Sequence, residues 1–142
     1  MFPAPAGPAT VIRSREHHTM PWANGRGITI EVARFPANAG HGDLDWRVSV
    51  ATLDEPGPFS TFPGLERTLM LIDDAEVVLG IDDVAHPLSR FAQVRFDGEA
   101  DTELVSTSGT CRDLNAMTRR GRVAARVTAL TSADTPSWAP DT

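Results

Sequence analysis

The sequence contains no lysine, no tyrosine and a single cysteine, Cys111. One cysteine cannot build a disulfide framework within the chain, which fits a reducing, cytoplasmic setting. No stretch approaches the ~18 consecutive apolar residues that a membrane-spanning helix needs. The start of the chain, Met1 to Pro8, lacks the basic and apolar regions of a secretory signal. Positive charge is scarce as well. Lys+Arg number 13 against 19 Asp+Glu, for a net charge of −6. A nucleic-acid partner is disfavoured, because such binding depends on excess positive charge to displace counterions. All 13 basic residues are arginine, whose planar fork suits carboxylates.

The length, 142 residues, suits one domain with one core. Eleven glycines and eleven prolines imply many turns. The dominant hydrophobic period is two. Ile28, Ile30 and Val32 alternate with Thr29, Glu31 and Ala33; Trp46, Val48 and Val50 alternate with Arg47, Ser49 and Ala51. Further strands are expected at Ala9–Arg13, Arg67–Ile72, Glu76–Ile81, Val84–Leu88, Ala92–Phe96, Thr102–Ser106 and Arg122–Leu130. Turn residues separate them, among them Asn24-Gly25, Pro63-Gly64, Asp82-Asp83 and Asp97-Gly98. Only Arg112 to Arg120 reads as a short helical turn, with Asp113 as its N-cap. The pattern predicts an all-β fold, a sandwich or barrel of antiparallel strands. Residues 1–8 read as a flexible lead-in, 9–132 as the β domain and 133–142 as a loose tail.

Catalytic motifs are missing. Gly25-Arg26-Gly27 lacks the third glycine and the following helix of a dinucleotide loop. The segment Gly57-Pro58-Phe59-Ser60-Thr61-Phe62-Pro63-Gly64 contains a serine but no nucleophile elbow, and reads as a packed loop anchored by Phe59 and Phe62. Of the four histidines only His17 and His18 are close in sequence, and neighbours on a strand point to opposite faces. No metal site and no cofactor are therefore expected. Arg120, Arg122 and Arg126 read by default as a solvated face. For Arg47 and Ser49 two readings stand. The default puts the Trp46/Val48/Val50 face in the core and Arg47 in solvent. The sharper one puts Arg47 and Ser49 inside a barrel.

Four segments, taken together, resemble the HutD/Ves family of cupin-like proteins. They are Met20-Pro21-Trp22-Ala23-Asn24-Gly25-Arg26-Gly27-Ile28-Thr29-Ile30-Glu31, Trp46-Arg47-Val48-Ser49-Val50-Ala51, Gly57 to Arg67, and Asp113-Leu114-Asn115-Ala116-Met117-Thr118-Arg119-Arg120. The resemblance covers about Val11 to Leu130. It implies a cupin-like β-barrel or bicupin fold without the usual metal histidines and a bacterial role in histidine utilisation. It further implies non-catalytic, regulatory binding of a small anionic metabolite such as N-formyl-glutamate. The motif residues it carries over as ligand-binding are Asn24, Glu31, Trp46, Arg47, Ser49, Arg67, Asp113, Asn115 and Arg119. Arg47 and Arg67 would each hold a carboxylate as a fork. Ser49, Asn24 and Asn115 would orient amide and carbonyl groups, and Trp46 and Phe62 would form walls. Glu31 pairs equally well with an arginine. Ala23 stands where the family often has a basic residue, and Asp73 to Glu76 replaces a glycine-containing turn.

Three rivals stand beside this reading. One is a metal-independent enzyme, an isomerase or hydrolase using Glu31 or Asp113 as base. Another is a protein-interaction module that presents Phe59 and Phe62. The third is a remnant fold that has lost its parent's pocket. Family members usually continue past the Asp113 segment with more strands, so the chain reads as a C-terminally shortened member with an uncovered edge or face. A homodimer is the expected cover. Sedimentation at tens of micromolar should show the mass of two chains; a clean monomer would count against it.

Overall fold

The computed structural model describes residues 10, 12–13, 17–21, 28–40 and 42–131, with backbone alone for 18, 20 and 21. Among these residues ten strands form and no helix. They are β1 (His18–Pro21), β2 (Ile28–Phe35), β3 (Trp46–Leu53), β4 (Gly57–Pro58), β5 (Leu65–Leu71), β6 (Val77–Ile81), β7 (Val84–Leu88), β8 (Gln93–Asp97), β9 (Thr102–Thr107) and β10 (Cys111–Arg119). One sheet runs β1-β2-β3-β10-β5-β8 and the other β4-β9-β6-β7, with every pairing antiparallel. No helix among the described residues is long and apolar enough to cross a membrane. The proposed lead-in and tail lie outside the described residues.

The alternation in the sequence explains the core. Leu69 and Leu71 of β5, Leu53 of β3 and Cys111 of β10 point inward from the larger sheet. They meet Val77, Leu79 and Ile81 of β6, Leu88 of β7 and Leu104 of β9. A smaller cluster, Leu44, Leu65 and Met117, closes one end. Burial of such side chains is worth roughly 1.5–3 kcal/mol each. The Cys111 thiol is buried, and burial pushes its pKa up, so it packs as a small apolar group.

Four expectations need correction. The segment expected to be a helical turn is β10, the strand between β3 and β5, and Asp113 caps nothing. Leu, Ala, Met and Arg favour a helix locally, but ladders on both sides override that preference. Polar Asp113 and Asn115 on its inner face hide the period of two. Arg122–Leu130 is extended, with alternate residues half-buried, yet it joins no sheet. It lies against side chains instead: Gln93 Nε2 donates to the Val127 carbonyl at 2.9 Å and Arg95 to the Ala125 carbonyl. Thr10, Ile12 and Arg13, the described part of Ala9–Arg13, join no strand either.

The fourth correction places the site. Arg47 and Ser49 are buried, 6% and 4% exposed, while Trp46, Val48 and Val50 are only half-buried. The default reading of β3 is reversed, and the arginine face is the inner one. A bulge in β2 extends this polar face. Glu31 pairs with Ser49 but Ala33 pairs with Val48, so Val32 is an extra residue and the alternation flips there. Arg34 consequently shares the face of Glu31, which a regular strand would forbid.

The Gly57–Gly64 segment is folded over this face and pinned by Gly98. The Gly98 amide donates to the Leu65 carbonyl at 2.7 Å and its carbonyl accepts from the Phe62 amide at 2.8 Å. A Cβ on Gly98 would lie 2.1 Å from the Phe62 carbonyl oxygen. Gly98→Ala should therefore cost about 3 kcal/mol, the upper range for overpacking, in urea unfolding. The β6–β7 turn behaves oppositely. Asp82 and Asp83 both have positive φ, 48° and 67°, as in a type I′ hairpin. Asp83→Gly should gain about 0.5 kcal/mol in the same assay.

Candidate functional site

The inner face of β2, β3, β10 and β5 carries a polar grid set by register. Glu31, Ser49 and Asn115 lie in one row across three strands. Arg34, Arg47, Met117 and Arg67 lie in the next, and Asp113 is one row beyond Asn115. Six residues expected in the site, Glu31, Arg47, Ser49, Arg67, Asp113 and Asn115, are thus brought onto one buried surface.

Glu31 is its anionic centre. Arg34 clamps it as a fork, with Nε to Oε1 and Nη2 to Oε2 both at 2.7 Å. Arg47 Nε donates to Oε2 at 2.9 Å. The Arg34 hydrogen bonds, with help from Arg47, outweigh burial and hold the Glu31 carboxyl down at about 2. Arg34 Nη1 also donates to the Ala39 carbonyl at 2.6 Å, tying the β2–β3 loop to the grid.

Arg67 is held differently. Its Nε donates to Asn115 Oδ1 at 3.0 Å and its Nη1 to the Ser60 carbonyl at 3.2 Å. Phe96, Phe62 and Phe59 surround the guanidinium, with ring centroids 5.0, 5.1 and 5.6 Å from Cζ. Every one of these partners is neutral. Burial lowers the Arg67 pKa to about 10, so the group still carries its charge at neutral pH. The contrast with the surface is sharp. Arg112 pairs with Asp73, Arg120 with Asp97 and Glu99, and Arg122 with Asp45. Those exposed pairs are screened by solvent and hold little.

Asp113 is 1% exposed. Burial raises its carboxyl to about 7 against the pull of Arg67, the Ala51 backbone and the Asn115 side chain. Its Oδ1 has no hydrogen-bond partner among the described residues. Leaving a buried acceptor unmatched costs about 1–3 kcal/mol. At neutral pH the grid holds three guanidinium groups against Glu31 and a half-neutral Asp113, so its net charge is positive. Such a surface can accept an anion in a low-dielectric setting. Among the described residues no three His, Cys, Asp or Glu side chains gather as metal ligands.

The remaining expected residues lie elsewhere. Trp46 points from the opposite face of β3 and stacks on Phe35, with centroids 6.4 Å apart, so it cannot wall this surface. Arg119, at the end of β10, donates through Nε and Nη2 to the Leu44 carbonyl at 3.1 and 2.9 Å, and so fastens a loop. Asn24 lies outside the described residues. The sequence reading missed Arg34, the Ser60 carbonyl, and Phe59 and Phe96 as the rings on Arg67. Only the bulge at Val32 reveals Arg34, and no residue type in β2 announces it.

Two antiparallel sheets around a polar, arginine-bearing interior define the class: an all-β, cupin-like protein. An RmlC-like cupin from Shewanella frigidimarina shares this fold, with a TM-score of 0.55 over 77% of this chain and 89% of that one at 8% identity. The family follows from closer relatives. The HutD family model matches residues 14–141, and the chain belongs to the HutD family. Protein Ves of Citrobacter koseri is 39% identical over 75% of this chain and 56% of its own length. A 21.2 kDa protein in the hutC 3′ region of Pseudomonas putida is 32% identical over 82% of this chain and 62% of its own. HutD of Pseudomonas fluorescens superimposes with a TM-score of 0.71 at 32% identity, over 78% of this chain and 60% of that one. The chain thus spans less than two thirds of the length of these HutD and Ves relatives.

The two carboxyls predict opposite pH effects. Glu31 is lowered, so its stabilisation is present above its ordinary pKa of 4.5 and is lost as pH falls toward about 2. Asp113 is raised, so its contribution favours folding below its ordinary 3.8 and is lost as pH rises through about 7. Denaturant unfolding should therefore show stability falling by a few kcal/mol between about pH 4 and pH 7. Asp113→Asn should flatten that slope and leave the acid limb unchanged. An unaltered slope in the variant would refute the assignment.

Proposed function

We propose that the inner face binds a small anionic metabolite, with Arg67 as its principal carboxylate anchor and Arg47 and Ser49 alongside. The observation that carries this reading is Arg67 itself, a buried cation whose hydrogen-bond partners, Asn115 and the Ser60 carbonyl, are neutral. A buried charge ordinarily has a counter-charge close at hand. Asp113 acts on Arg67 through space but is not hydrogen-bonded to it, and a ligand carboxylate would add the bidentate contact that a guanidinium favours. Arg47 is committed through Nε to Glu31 and is better suited to adding field than to forming a second fork.

The resemblance to HutD, and a relative encoded in the hutC 3′ region, support a place in histidine utilisation. N-formyl-glutamate, with two carboxylates and an amide, is the intermediate whose chemistry suits the grid. Binding it without turnover would let the protein report or restrain the level of that intermediate in the cytoplasm. The enzymatic reading narrows to one residue. Glu31 is doubly paired and is a poor base at neutral pH, whereas the raised carboxyl of Asp113 suits proton transfer. The interaction reading has less to stand on, since Phe59 and Phe62 are half-buried against Arg67.

Calorimetric titration with N-formyl-glutamate, with glutamate and histidine as comparators, tests the proposal. Saturable binding is expected, weakened about tenfold in Arg67→Lys and about a hundredfold in Arg67→Met, as loss of a bidentate charged contact implies. Arg47→Ala should weaken it less. No heat from folded protein would overturn the reading. Slow heat continuing after each injection, absent in Asp113→Asn, would shift it to catalysis.

A further inference from the structure

Along β2 and β3 the larger sheet carries its polarity inside out. The inward side chains are Glu31, Arg34, Arg47 and Ser49, while Ile28, Ile30 and Phe35 of β2 and Trp46, Val48 and Val50 of β3 point outward. An antiparallel sheet with one face in water ordinarily shows the opposite order, apolar inward and polar outward. The far side of the same sheet keeps that order, with Glu66, Arg95 and Asp97 on its outer surface. The extended segment 122–130 covers part of this outer side. Gln93 donates both to its Val127 carbonyl and to Met70 Sδ, and outward-facing Thr68, Met70, Ala116 and Thr118 are buried. The cover does not reach the outer strands. Ile28 is 46% exposed and Phe35 52%, and Trp46, stacked on Phe35, is only half-buried. An apolar patch of this kind, rimmed by polar groups, marks a contact surface.

The geometry points to a second copy of this chain as what covers the β2–β3 outer face, in a two-fold dimer that packs sheet on sheet. Three observations favour a copy over another partner. Each chain carries a net charge of −6, yet these six side chains are neutral, so two copies meet here without bringing carboxylates together. The rim holds both signs at both ends, Asp45 with Arg122 beyond Trp46 and Asp73 with Arg112 beyond Val50. A copy turned end for end sets each mixed pair beside the other, where opposite signs can meet. Finally, β2 and β3 are eight residues each, and faces of equal length and equal twist pack about 10 Å apart with strands within about 30° of each other. A two-fold makes the contact isologous, so one apolar face serves both chains. This gives the homodimer expected from the sequence a definite face, and the inner face of each copy stays outside the contact.

Sedimentation of the full chain tests the assignment. Wild-type protein should dimerise reversibly with a Kd on the order of 1 μM, as a modest apolar interface implies. Phe35→Asp and Val48→Arg should each weaken the dimer at least about a hundredfold, because each sets an unpaired charge in the contact. Val84→Asp, at a 57% exposed position on β7 of the other sheet, should leave the Kd within about twofold. Circular dichroism and urea midpoints check that the variants fold. Phe35 is more than half exposed within one chain, so Phe35→Asp keeps the test readable if Val48→Arg does not fold. Wild-type protein that sediments as one chain up to about 100 μM would overturn the proposal. So would a dimer that persists unchanged in folded Phe35→Asp.

Discussion

Two guanidinium groups lie inside this protein because Glu31 lies between them. Arg34 and Arg47 approach the same carboxylate at 2.7 and 2.9 Å, and Glu31 in turn is held ionised far below the ordinary range of a glutamate. Removing the carboxylate would leave two cations in a poorly solvated interior, a loss of about 3–5 kcal/mol for a broken buried pair. The triad also sets geometry. It fastens the end of β2 to β3 across the bulge at Val32 and, through the Ala39 carbonyl, the loop that follows β2. With both cations held there, this half of the polar interior balances charge locally.

Arg67 stands apart from that triad. It sits one ladder further on, in the same inward row as Arg47, yet no carboxylate is hydrogen-bonded to it. Three phenylalanine rings, an amide and a backbone carbonyl keep it oriented at the cost of its solvation. The lowered pKa of Arg67 and the raised pKa of Asp113 express the same fact from opposite signs: both groups are buried beyond what their neighbours compensate. Apolar packing from Leu53, Leu69, Leu71 and the facing strands lies beside this end. The two halves of the interior thus divide their work, one supplying stability and the other an unmatched field.

Much of the site is legible in the amino-acid sequence. Arg47, Ser49, Arg67, Asp113 and Asn115 stand in short motifs whose order and spacing resemble the HutD/Ves pattern, and the family relationship holds. The resemblance singles out these residues but not which way they point. Trp46 and Arg47 are neighbours in one motif and lie on opposite faces. Arg119 belongs to the same motif as Asn115 but fastens the Leu44 loop. Arg34 belongs to no motif and completes the centre. Each difference has one physical origin: a strand's alternation tells which residues share a face, and only packing tells which face is inside.

The sequence by itself determined that the chain is all-β, that its strands are short and antiparallel, and that arginine is its only cation. A period of two and frequent turn residues are local properties, and they survive folding because antiparallel ladders join neighbours through short turns. Tertiary structure decided the rest. It made a strand of Cys111–Arg119 by placing hydrogen-bonding edges on both sides, and it turned Arg47 inward because the β3 face that ends in Leu53 meets the second sheet. It brought Arg34 to Glu31 by inserting one residue into a ladder. These outcomes depend on which surfaces find a partner, and that is a property of the whole chain that no single segment carries.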